Sequence, residues 1–256
     1  MTERIPEIAL SSEEVAEILT HCGDTALLVG GQALAFWAAR YAVKAVGVLA
    51  TAVTSDVDFI GTAKVAANLG RSLGWQIWVP ARGDPTAQVA KLTKTIPGVG
   101  IKQIDFLNSI LGLQTNRVEQ RAAKVTFPNG ARIRVLHPLD MLESRLRNIL
   151  IQNSQQAAVR VAQASLAISV TGSYLRSIIE DGTDKRVIYD VLERIAKIVL
   201  NRRLAEVCVQ HDLYPLLAVP TPIIPGDEVL SRRLQQVLKQ AGELKKKILT
   251  RAVHKR

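Results

Sequence analysis

The stretch Thr25-Ala-Leu-Leu-Val-Gly-Gly-Gln-Ala-Leu-Ala-Phe-Trp37 changes periodicity half-way along. Thr25 to Val29 is a short continuous apolar run of the kind a buried strand needs. Gly30-Gly31 breaks it, and Gln32 to Val43 then carries apolar residues at helical spacing. The reading is strand, Gly-Gly turn, helix, a unit that calls for further strands beside it. Upstream, Ser11 and Ser12 precede Glu13 and Glu14, while Val15, Ile18 and Leu19 share one helical face. That pattern predicts a capped helix over 12–22, ended by Gly23-Asp24. Downstream, Asp56-Val-Asp-Phe-Ile60 alternates polar and apolar as a half-exposed strand does. Thr62 to Leu73 reads as a helix, Trp75 to Val79 and Ile101 to Leu107 as strands, and Lys124 to Val135 as a hairpin turning at Pro128-Asn129-Gly130. These elements predict an α/β (α+β) fold, one mixed sheet flanked by helices. From Pro138 the pattern is almost wholly helical, over 138–152, 155–179, 183–201 and 205–211. The proline-rich segment Val219-Pro-Thr-Pro-Ile-Ile-Pro225 then separates a last helix over 227–250. The domains expected are 1–136 (α/β), 137–218 (helical) and 219–256 (linker and basic helix).

Composition agrees with that outline. Of the 256 residues, 48% are hydrophobic and 22% charged, close to a globular average and far from a disordered profile. Aromatics are only 4%, so the core is built from Leu, Ile, Val and Ala, which argues against an all-β sandwich. No apolar run approaches the roughly 18 residues of a membrane span, and Met1 to Leu10 lacks the basic-then-apolar order of a secretory signal. A cytoplasmic protein with no membrane partner is expected. Cys22 and Cys208 have no CxxC or zinc-type spacing around them and read as core thiols. The net charge of +10 is uneven: residues 226–256 hold 9 basic and 3 acidic side chains, including Lys245-Lys246-Lys247 and Arg251. Such a terminus suits RNA or DNA phosphates through counterion release. It suits a solvated, solubilising helix equally well.

Three features of the first half bear on chemistry. Gly30-Gly31 at a helix start lets backbone N–H groups approach a phosphate chain. Asp56 and Asp58, two apart on a strand, project from one face while Val57 and Phe59 point the other way. Two aimed carboxylates suit Mg²⁺, a hard cation that takes oxygen ligands and is commonly shared with substrate phosphates. Asp105, in Ile-Asp-Phe-Leu107, repeats the same apolar frame on another strand. Side by side, the three carboxylates could bridge two metal ions about 3.5–4 Å apart and activate a hydroxyl for attack on phosphorus. A single aspartate at a strand end is more often a turn former or a surface charge; three in matched frames are harder to dismiss.

These motifs, Leu28-Val-Gly-Gly-Gln-Ala-Leu-Ala-Phe-Trp37, Thr54-Ser-Asp-Val-Asp-Phe-Ile-Gly61 and Ile104-Asp-Phe-Leu107, resemble the DNA polymerase beta superfamily of nucleotidyltransferases. The Gly-Gly-x-Ala-Leu opening resembles the AbiEii type associated with toxin-antitoxin systems, over roughly residues 20 to 150. The resemblance implies a nucleotidyltransferase fold and Mg²⁺-dependent transfer of a nucleoside monophosphate from an NTP to a hydroxyl. It implies that Gly30, Gly31, Ser55 and Arg145 bind the nucleotide, that Asp56 and Asp58 hold Mg²⁺, and that Asp105 is third ligand and base. It also implies a toxin role with an antitoxin protein as partner; the basic last helix suggests RNA as acceptor, while a protein side chain or a small molecule would serve the same three carboxylates equally well. Two departures stand out. Twenty-four residues separate Gly31 from Asp56, suggesting an insertion around 43–53, and Arg145 or Arg147 stands where AbiEii-type proteins tend to carry lysine. A capping or surface role suits those arginines as well. The rival reading is a catalytically inactive protein of the same fold that binds nucleic acid or a partner. His137, Trp75 and Trp78 read first as structural residues.

Overall fold

The computed structural model describes residues 6–44, 56–127, 130–151, 156–221, 223 and 227–253. Ser55, the turn residues Pro128-Asn129 and most of the 43–53 insertion lie outside the described residues. The chain divides into two compact units, Met1–Phe36 with Ala50–Met141, and Trp37–Leu49 with Leu142–Arg256.

The first unit is the α/β part. α1 (Ser12–Cys22) starts on a complete capping box: Ser11 Oγ accepts from the Glu14 N–H, and the Glu14 carboxylate accepts from the Ser11 N–H at 2.8 Å. β1 (Leu27–Val29) runs straight into α2 (Gly30–Arg40), and β2 (Val57–Ile60) is followed by α3 (Ala63–Leu73), capped by Thr62. Then come β3 (Gln76–Trp78), β4 (Gln88–Ile96), β5 (Gly100–Leu107), α4 (Thr115–Arg121), β6 (Ala123–Thr126), β7 (Arg132–Val135) and the start of α5 (Pro138–Ile149). The seven strands form one mixed sheet in the order β3-β4-β5-β2-β1-β7-β6. β1 runs parallel to β7 and antiparallel to β2, while β2 runs parallel to β5.

Two elements depart from the sequence reading. β4 pairs with β5 along nearly its whole length, yet carries Lys91, Thr93, Lys94 and Thr95 and buries only Ala90 and Leu92. Its apolar half is too thin to register as a strand pattern. α4 buries only Val118 and is held by charge: Arg121 Nε and Nη2 reach the two oxygens of fully buried Asp140, in the first turn of α5, at 3.0 and 2.6 Å.

The second unit is helical. α6 (Ala157–Glu180), α7 (Lys185–Leu200), α8 (Arg202–Gln210), a 3-10 turn (Pro215–Ala218) and α9 (Glu228–Val253) surround a core of Leu166, Val170, Leu192, Ile195, Leu204, Leu234 and Val237. Arg233 on α9 grips both oxygens of Glu193 on α7. Among the described residues, the two non-glycine residues with positive φ, Ala42 and Asp212, are helix terminators. After each, the next N–H bonds back five residues, Val43 to the Ala38 carbonyl at 2.8 Å and Leu213 to Cys208 at 2.9 Å. No helix among the described residues is long and apolar enough to cross a membrane.

Candidate metal centre

β2 and β5 align so that the Asp-Phe pair of one lies against the Asp-Phe pair of the other, Asp58 beside Asp105 and Phe59 beside Phe106. Because side chains alternate along a strand, this register sorts the two chemistries onto opposite faces. The Phe59 and Phe106 rings stack 5.3 Å apart in the core, with Val57 and Ile104 fully buried beside them. The carboxylates share the other face. Asp56, Asp58 and Asp105, all half-buried, each offer an oxygen within 4.8 Å of the others.

Gly30 closes one side. It follows Val29, which pairs with Asp58, and a Cβ at this position would stand 1.9 Å from Asp58 Oδ2. Its φ of +66° independently favours glycine. Both the backbone conformation and the carboxylate's approach to α2 therefore need this residue.

Asp105 is held by residues that the sequence reading missed. Gln88 Nε2 donates to its Oδ1 at 2.5 Å and Gln103 Nε2 to its Oδ2 at 2.7 Å. Lys91 Nζ donates to Gln103 Oε1 at 3.1 Å, which turns the amide's NH₂ toward Asp105. Lys91 stands opposite Asp105 on β4 and adds its charge. Gln88 reaches the site because the β4–β5 register slips between Gln88 and Ala90. Without that irregularity, position 88 would share the core face of Ala90. Burial raises the Asp105 pKa above the usual carboxylate value; the Gln103 bond and Lys91 lower it, and Asp56 adds to the rise.

The donor set fits a hard cation. Octahedral Mg²⁺ binds oxygens at about 2.0–2.1 Å, so its ligand oxygens lie within about 4.2 Å of one another. Three carboxylate oxygens within 4.8 Å need only small side-chain shifts to converge. Among the described residues this is the one cluster of three or more potential metal-binding side chains.

The other predicted residues have contacts of their own. Gly31 is buried as the second residue of α2. Arg145 lies in the second unit, buried, its Nη1 donating to Gln163 Oε1 at 2.9 Å. Arg147 bonds Glu143 one turn back at 2.6 Å. His137 Nδ1 accepts from the Leu139 N–H at 3.2 Å and so caps α5. Trp75 is buried, and Trp78 sits half-exposed on the edge strand β3.

The chain is similar to a solved bacterial structure. The crystal structure of JHP933 from Helicobacter pylori matches 96% of this chain and 97% of its own, at 11% identity and a TM-score of 0.39. No family model matches the sequence, and no curated protein does.

Proposed function

We propose that this protein is a Mg²⁺-dependent nucleotidyltransferase that moves a nucleoside monophosphate from an NTP to a hydroxyl acceptor. One observation carries the reading: the carboxylates of Asp58 and Asp105 on neighbouring strands and of Asp56 just before β2 converge beside the glycine that opens α2. The sequence resemblance to the polymerase beta superfamily points the same way. In this reading Asp56, Asp58 and Asp105 hold the cation, and the N–H groups at the start of α2 face the triphosphate. The bound Mg²⁺ would supply positive charge against the phosphate oxygens. The acceptor oxygen bonds to the α-phosphorus, the bond to the bridging oxygen breaks, and pyrophosphate leaves. Asp105 takes the acceptor's proton, a role that its burial favours by raising its affinity for protons. Gln88 and Gln103 fix the direction of its lone pairs.

The acceptor proposed is RNA, bound through the exposed Lys246, Lys247 and Arg251 of α9. The toxin role and an antitoxin partner rest on the AbiEii-type resemblance alone. The test incubates the protein with each labelled NTP, Mg²⁺ and total RNA or lysate, beside an Asp56→Ala, Asp58→Ala double variant. Label entering RNA with the native protein only is the expected result. Absence of transfer together with absence of Mg²⁺-dependent NTP binding in calorimetry overturns the proposal.

A further inference from the structure

The second unit holds a cavity of about 250 Å³ between the end of α7, α8, the 3-10 turn and α9. Its lining is apolar, including Val199, Cys208, Leu213, Leu216, Leu238 and Ala241. Among the described residues, one charged side chain lines it, Lys245, whose ammonium sits 4.4 Å over the Tyr214 ring and donates to the Tyr214 hydroxyl at 2.9 Å. That hydroxyl in turn donates to Asp212, which fixes the ring.

Three features keep the space open. α9 presents Ala241 and Gly242 to it, side chains too small to fill it, and a Cβ at Gly242 would meet nothing within 4 Å. The 3-10 turn is pinned against α6: a Cβ at Gly172 would lie 2.7 Å from the Ala218 carbonyl oxygen, so helix and turn touch through backbone. With its backbone fixed, the turn holds Leu217 on the cavity's rim, 80% exposed. Leu217 thus extends the apolar lining to the mouth of the hollow.

We propose that this cavity binds a small apolar carboxylate, an acyl or aryl chain in the hollow with its carboxylate on Lys245. A cavity of about 150 Å³ already accepts benzene, so this one takes a larger hydrocarbon body. The ammonium has three donor protons and gives one to Tyr214, leaving two for a carboxylate. Tyr214 spends its own proton on Asp212, so its oxygen faces Lys245 as an acceptor and adds no donor for a neutral alcohol.

The experiment titrates octanoate, octanol and octylammonium into the full chain, by calorimetry and thermal shift. Octanoate should bind and raise the melting temperature with concentration; octanol should bind about tenfold more weakly, lacking the charge-assisted bond; octylammonium should not bind. Lys245→Glu, on the rim, should reverse the preference, losing octanoate and gaining octylammonium. Ala241→Leu should fill the hollow and abolish octanoate binding with the helical circular dichroism unchanged. Should Ala241→Leu fail to fold, the Lys245→Glu reversal decides alone. Equal affinity for octanoate and octanol, no octanoate binding, or octanoate binding untouched by Lys245→Glu would each overturn the proposal. None of these readouts depends on nucleotidyl transfer.

Discussion

Gly30 and Asp58 act as a pair at the residue scale, since the missing Cβ of one is the space that the carboxylate of the other occupies. A left-handed backbone costs a non-glycine residue about 1–2 kcal/mol, and the 1.9 Å approach adds a clash that Asp58 must turn away to relieve. Native protein at a Mg²⁺ concentration 100-fold above its dissociation constant should gain about 2.7 kcal/mol of stability. Gly30→Ala should fold and lose that gain, as should Asp58→Asn; differential scanning fluorimetry with and without Mg²⁺ checks both. Asp105 makes a prediction with a definite sign. Burial raises its pKa in the folded chain above the ordinary 3.8. The native state therefore holds a proton that the unfolded chain has already released, and the associated stability, present below pH 3.8, is lost as pH climbs through the folded value. Without metal, Asp105→Asn should thus be more stable than native protein at neutral pH, with the advantage vanishing below pH 3.8. A melting-temperature series against pH tests this, and no advantage at pH 7 would contradict it. Burial also pushes both thiols, Cys22 and Cys208, up to about 11. They should react with a disulfide reagent at pH 8 far more slowly than free cysteine, and at full rate after unfolding in urea.

Elements depend on their caps. Ser11→Ala removes one half of the capping box of α1 and should cost about 1 kcal/mol. It should appear as a lower urea midpoint with unchanged slope in the transition of the first unit. That helix was legible because its signal is local: Ser11, Glu14 and the apolar face follow one another within a few turns. The strands over Val57–Ile60 and Gly100–Leu107 were legible for the same reason, since alternation is written in each one alone. β4 was not, because what makes it a strand is its long pairing with β5, an interaction between residues distant in sequence. The support of Asp105 escaped for a related cause. Gln88 and Lys91 belong to the site only through the β4–β5 register, and Gln88 only through a slip in that register that no pattern in its neighbours announces. The three aspartates, by contrast, carried their own apolar frames. Arg145 was named from a motif position alone, and its burial against Gln163 on α6 is a contact that only the fold creates.

At the scale of the whole molecule, the charge is divided by position. The net +10 lies mainly in residues 226–256, while the carboxylates that would hold Mg²⁺ lie in the other unit. Binding and chemistry should therefore be separable. The affinity of the native protein for single-stranded RNA should fall linearly on a log–log plot against salt, with a slope near −0.7 for each phosphate neutralised. Replacing Lys246, Lys247 and Arg251 together by alanine removes three exposed charges from α9. The slope should then shrink by about 2, with the thermal stabilisation by Mg²⁺ unchanged. Asp58→Asn should do the reverse, losing the Mg²⁺ response and keeping the full salt slope. Fluorescence anisotropy with a labelled oligonucleotide at four or five salt concentrations measures both variants. If the triple alanine variant keeps the native slope, α9 is not the RNA surface and the acceptor must be sought among proteins or small molecules. If the Asp58→Asn slope falls as well, the two units are coupled in binding, and the carboxylate site contributes to holding the nucleic acid.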